Sequence, residues 1–113
     1  MGALIYDGNE VEFDDRLLAH LHVVIMQKLR RGESFSLSWR ERHDTGGRSA
    51  LWLHPSIPLY FRFAGSKPPA LNREWVQALV LASNSSQGLV VMPEPAPITQ
   101  PTTESSRMMS ARA

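Results

Sequence analysis

The chain has 113 residues and a mass of 12.7 kDa, the size of one domain with a single modest core and no room for a second catalytic domain. Its formal net charge is +1, 42% of its residues are hydrophobic and it has no cysteine, which excludes disulfides, thiolate nucleophiles and thiolate metal sites. Apolar stretches fall far short of the roughly 20 residues that span a bilayer, and the acidic start lacks the basic opening and long apolar centre of a secretory signal, so a cytoplasmic protein without membrane contact is expected.

Residues 3–6 and 11–13 flank Asp7-Gly8-Asn9, a turn signal that predicts a hairpin, because Asp-Gly accepts the positive φ of a tight turn. Asp14 or Asp15 can then cap a helix in which Leu17, Leu18, Leu21, Val24, Ile25 and Leu29 recur at spacings of three and four. Lys28, Arg30, Arg31 and Gly32 close it, so acid at its start and base at its end complement the helix dipole. Three alternating segments follow, residues 35–40, 51–54 and 59–63. Successive strand side chains point to opposite sides, so Phe35, Leu37, Trp39, Leu51, Leu53, Leu59, Phe61 and Phe63 can share a core face. The other face then carries Ser36, Ser38, Arg40, Trp52, His54, Tyr60 and Arg62, aromatic and basic where an idle surface would show Lys, Glu and Thr.

The first two segments are joined by a loop over residues 41–47, and Gly65, Ser66, Pro68 and Pro69 end the third. Asn72 is the expected N-cap of a second helix with Trp75, Val76, Leu79 and Val80 on one stripe, leaving through residues 83–88. A short strand at 89–92 stops at Pro93. Residues 93–113 are rich in Pro, Ser and Thr and cannot bury enough surface to offset their ordering entropy. The expectation is one α+β domain over residues 1–92 and a disordered tail over 93–113. Its mostly antiparallel sheet is built from an N-terminal hairpin, a three-stranded meander and a short final strand, with two helices. Whether both helices lie on one face of that sheet decides whether the aromatic and basic face is open.

Charge is uneven along the chain. Residues 1–15 hold five acids and no base, whereas 28–73 hold nine bases against three acids. Seven of those nine are arginine, which suits phosphates, carboxylates and aromatic faces better than lysine. An anionic partner is favoured if these bases cluster, and none if they cancel locally.

No catalytic constellation assembles. His20 and His22 are two apart on a helix, pointing about 200° from each other, whereas a shared ion needs spacing of three or four. His43, Asp44 and His54 are more often solvated than metal-bound side chains. Ser56, in His54-Pro55-Ser56-Ile57-Pro58, has only adjacency to His54 to recommend it as a nucleophile, and the two prolines mark a rigid connection. Gly46-Gly47-Arg48-Ser49 lacks the spacing and the lysine of a phosphate-binding loop. No catalytic, cofactor or metal residue is assigned.

Four segments carry a resemblance: Glu12-Phe13-Asp14-Asp15-Arg16, Leu29-Arg30-Arg31-Gly32-Glu33-Ser34-Phe35, the run from Trp52 through His54-Pro55-Ser56-Ile57-Pro58 to Phe61, and Leu71-Asn72-Arg73-Glu74-Trp75. Over most of residues 1–92 the chain resembles a family of small uncharacterised actinobacterial and actinophage proteins, a domain of unknown function whose members often carry the automatic label ATP-dependent DNA ligase. That label implies an association with DNA ends, while ligation itself needs an adenylated lysine in the pattern Lys-x-Asp-Gly. Here the only Asp-Gly is Asp7-Gly8, and Ile5 stands where the lysine belongs, so the chain is read as no enzyme.

Two functions from different classes remain. One is a noncatalytic protein-interaction or assembly domain, binding a protein partner or a second copy of itself through Arg40, Trp52, His54, Tyr60 and Arg62, a composition typical of interfaces. The other is a nucleic-acid-binding accessory module in which the same residues stack on bases and meet phosphates. If Trp52 and Tyr60 are instead covered by a helix, Arg40 and Arg62 merely line the rim.

Overall fold

A computed structural model describes residues 1–41 and 46–96. The α+β class and the order of elements are as expected: strands β1 (Gly2–Tyr6) and β2 (Asn9–Phe13), helix α1 (Asp15–Arg30), strands β3 (Phe35–Arg40), β4 (Arg48–Leu53) and β5 (Leu59–Arg62), helix α2 (Arg73–Ser83) and strand β6 (Leu89–Val90). Asp7 and Gly8 form a two-residue turn with φ of 50° and 84°, and Tyr6 pairs with Asn9 across it. Positive φ at both turn residues matches the twist of a tight hairpin.

Asp14 caps α1 by accepting the Arg16 N–H. At the other end Gly32, at φ 76°, lets the Glu33 N–H reach the Lys28 carbonyl at 3.1 Å, which closes the last turn. Asn72 caps α2 as expected, accepting from the backbones of Glu74 and Trp75.

The strands form two sheets, ordered β2-β1-β5 and β4-β3-β6. This corrects the expected meander: β5 leaves β4 and pairs antiparallel with β1, Leu4 opposite Phe61 and Tyr6 opposite Leu59. The link explains it. Pro55 and Pro58 have no N–H to give a β4–β5 ladder, while the His54 N–H bonds Tyr6 Oη at 2.9 Å and the Ile57 N–H bonds the His54 carbonyl. That turn delivers β5 to the apolar edge of β1. The last strand, β6, is shorter than expected and runs parallel to β3, pairing Leu37 with Leu89.

Both helices cover the inner faces of the two sheets. Leu18, Leu21, Val24 and Ile25 of α1 and Trp75 and Leu79 of α2 close one core with Leu4, Tyr6, Phe13, Phe35, Leu37, Trp39, Leu53 and Leu89. Within the strands, inward and outward positions therefore fall as the period-two pattern predicts, and both outer sheet faces are free of helix; Phe63, expected on the core face, instead lies one residue past β5 and is 36% exposed.

The expected tail begins at Pro93, yet Glu94 is bound into the domain. Both of its carboxylate oxygens take a guanidinium hydrogen bond from Arg16, at 2.8 and 2.7 Å, and one also takes the Asn72 side-chain amide. The remainder of that tail, residues 97–113, lies outside the described residues.

Candidate functional site

The five candidate residues do not share one face. Arg40, Trp52 and His54 belong to the β4-β3-β6 sheet and its exit, whereas Tyr60 and Arg62 stand on the β2-β1-β5 sheet. Sequence reasoning joined them because it placed β5 beside β4.

On the β2-β1-β5 sheet the outer row places Tyr60 opposite Ile5, which faces Glu10, and Arg62 opposite Ala3, which faces Glu12. Arg62 reaches diagonally across β1 to Glu10 at 2.9 Å. Its charge is answered there, and Ala3 beneath is only 2% exposed. Two glutamates against one arginine make this face net acidic, not basic. Tyr60 is 60% exposed upon it.

The β4-β3-β6 sheet has a different outer face. Trp52 lies opposite Ser36, Ala50 opposite Ser38, and Arg48 opposite Arg40, with Val90 beside Ser38 on the third strand. Trp52 is 63% exposed in a field of small side chains. The strand positions on this face hold no acid, and among the described residues neither Arg40 nor Arg48 has a carboxylate partner. Like charges set directly opposite each other are destabilising by themselves. Strand β4 is also an edge: β3 occupies one side, and among the described residues no strand occupies the other.

His54 is exposed beyond β4, where its Nδ1 accepts the Ser56 backbone N–H at 3.1 Å and lies 2.8 Å from Ser56 Oγ. Adjacency does bring the two together. The contact closes a turn, since the nitrogen that would take the serine proton already receives a backbone donor. His43 and Asp44 lie outside the described residues. Asp7-Gly8 is accounted for by the hairpin turn, with Ile5 pairing in β1.

The two helical histidines part as their spacing requires. His20 is fully buried against Trp75; its Nε2 accepts the Asn72 N–H at 2.8 Å, so its Nδ1 carries the proton and donates to the Arg16 carbonyl at 2.7 Å. His22 lies edge-on to Phe61 and Phe63. Part of the positive middle segment is also neutralised: Lys28, buried, bonds the Asn84 side chain at 3.0 Å and Glu33 at 2.8 Å, and its hydrogen bond holds the Glu33 carboxyl below its usual range.

Sequence reasoning missed a groove of about 780 Å³ floored by Phe13, Trp39 and Trp75 and rimmed by Glu12, Glu41 and Glu94. Its lining comes from β2, β3, both helices and the chain after β6, so no local pattern announces it. The acids on its rim disfavour a polyanion there. Among the described residues no helix is long and apolar enough to cross a membrane. The model of a family described as a domain of unknown function, DUF7882, matches residues 1–94, which take in all five candidate residues. No curated protein and no solved structure matches the chain.

Proposed function

The chain belongs to the DUF7882 family, a membership that brings no activity with it, and from the geometry we propose a small noncatalytic assembly domain that makes a protein contact through the outer face of β4-β3-β6. One observation carries the reading: Trp52, 63% exposed, stands among Ser36, Ser38 and Ala50 on a strand that, among the described residues, pairs on one side only. Tryptophan is enriched among the residues that anchor protein interfaces. Burying it would remove apolar surface from water.

The nucleic-acid reading keeps one supporting observation, the Arg40–Arg48 pair on the same face as Trp52. It loses Arg62 to Glu10 and Tyr60 to a net acidic face. Stacking sites for single strands need aromatic and basic groups on one surface.

Multi-angle light scattering of the purified chain, with and without a mixed-sequence single-stranded oligonucleotide at low and moderate salt, separates the two. The assembly reading expects a discrete species heavier than 12.7 kDa without nucleic acid, and Trp52→Asp returning it to the monomer. A mass that rises only with the oligonucleotide, and falls again with salt, overturns it.

A further inference from the structure

We propose that the partner is a second copy of this chain, joined edge to edge through β4 about a two-fold axis that passes beside Ala50. This rests on the assembly reading and gives it a geometry. The edge is the first reason: β4 spans six residues, Arg48-Ser49-Ala50-Leu51-Trp52-Leu53, and pairs on one side only among the described residues. Its free side presents backbone groups that another strand can take up, and Arg48 is the single charge along it to discourage pairing.

Self-complementarity is the second reason. In an antiparallel pair, residues directly opposite each other share a face. With Ala50 opposite Ala50 of the second copy, Arg48 falls opposite Trp52 and Trp52 opposite Arg48, all on the outer face. A guanidinium over an indole is a favourable cation–π arrangement, and the two-fold makes it twice. Only small methyl groups meet at the axis. Shifting the axis to Ser49 or Leu51 sets Ala50 against Arg48 or Trp52 and breaks both pairs.

The register also answers two features that the single chain leaves costly. Arg48, repelled by Arg40 across β3–β4, gains an aromatic face, and Trp52 loses exposed surface. The product is one six-stranded sheet ordered β6-β3-β4-β4-β3-β6, with helices over each half. Closing the edge removes the open template for further pairing, so a two-fold dimer is self-limiting where head-to-tail addition is not.

The chain has no cysteine, so a single introduced one reports cleanly. Ala50→Cys places two thiols across the axis at about 5 Å between Cα atoms, within disulfide reach. Ser38→Cys, on the same face one strand inward, is the control. Mild oxidation at concentrations where light scattering shows a dimer is expected to link the two copies of the Ala50→Cys variant nearly completely and to leave the Ser38→Cys variant unlinked. Arg48→Ala and Trp52→Ala, both at exposed positions, should each weaken dimerisation on the order of tenfold. A dimer that Trp52→Asp dissociates but that oxidation of the Ala50→Cys variant does not link, or that the Ser38→Cys variant links equally well, overturns the edge pairing and leaves the assembly reading standing. A 12.7 kDa species at every concentration overturns the pairing of two copies and leaves only a contact with a different protein.

Discussion

His20 of α1 and Trp75 of α2 form the joint between the two helices, their ring centroids 4.5 Å apart and tilted by 36°. The imidazole is doubly anchored, donating to the Arg16 carbonyl and accepting the Asn72 N–H. Asn72 caps the helix that carries Trp75, and the Trp75 indole N–H closes the circuit on the Met92 carbonyl at 3.1 Å. A buried histidine here positions the start of α2, which is why its chemistry is spent on structure.

His20→Leu keeps an apolar body of similar size but leaves the buried Asn72 N–H without its acceptor. Loss of that bond and imperfect repacking together should cost about 3 kcal/mol. Urea unfolding at neutral pH measures it, and a loss under about 1 kcal/mol would show that the joint does not depend on the imidazole.

Neighbouring residues of β4 should respond in opposite ways. Leu53 is fully buried in the core and Trp52 stands in solvent, so Leu53→Ala should cost about 3 kcal/mol and Trp52→Ala within about 0.5 kcal/mol, measured at concentrations low enough to keep the chain monomeric. Comparable losses at both positions would mean that the strand does not alternate between core and solvent as described.

Much of this was legible because it is local. Period-two alternation in 35–40, 51–54 and 59–63 correctly separated Phe35, Leu37 and Leu53 from Ser36, Ser38 and Trp52, since the strand pleat fixes sides without reference to any partner. Caps at Asp14 and Asn72 and the turn at Asp7-Gly8 are likewise set within a few residues. Sheet partnership is not local. Nothing in residues 59–63 says whether they pair with β4 or with β1, and the Tyr6 hydroxyl that captures the His54 N–H is 48 residues away. The candidate face broke at that step, and so did its charge: the acid that neutralises Arg62 lies 52 residues earlier. The same distance in sequence hid the role of His20, whose Asn72 partner also lies 52 residues along the chain.

Two glycines with similar backbones should differ in how they tolerate alanine. Gly8 has φ 84° with nothing within 4 Å of an added Cβ, whereas Gly88 has φ 78° and a Cβ there would stand 2.7 Å from the Ser36 carbonyl oxygen. Gly8→Ala therefore meets only the left-handed backbone penalty, about 1 kcal/mol. Gly88→Ala adds a backbone collision at the point where β6 joins β3, and should cost at least about 2 kcal/mol and loosen that edge. Thermal unfolding of the pair, with amide exchange at Val90 and Val91 as the local readout, checks the ordering; equal losses would contradict it.

Acid should loosen the seam that holds Pro93 and Glu94 to the two helices. Hydrogen bonds from Arg16, and secondarily from Asn72, lower the Glu94 carboxyl from an ordinary 4.5 to about 2. Asp15 is lowered by the backbone N–H groups of Gly65 and Ala64, and Glu33 by Lys28. A carboxyl whose folded value lies below its unfolded value binds fewer protons when folded. Its stabilisation is fully present above the unfolded value and drains away as pH falls through the folded one. Stability should therefore decline from about pH 5 toward pH 2, and surface exposure of these groups makes the decline shallower in high salt. Glu94→Gln removes one such group: the variant should be less stable than the parent at neutral pH, and the gap should close as pH approaches 2. Parallel curves for parent and variant across that range would show that Glu94 contributes no proton-linked stability, and that its fork with Arg16 does not hold the chain against the domain.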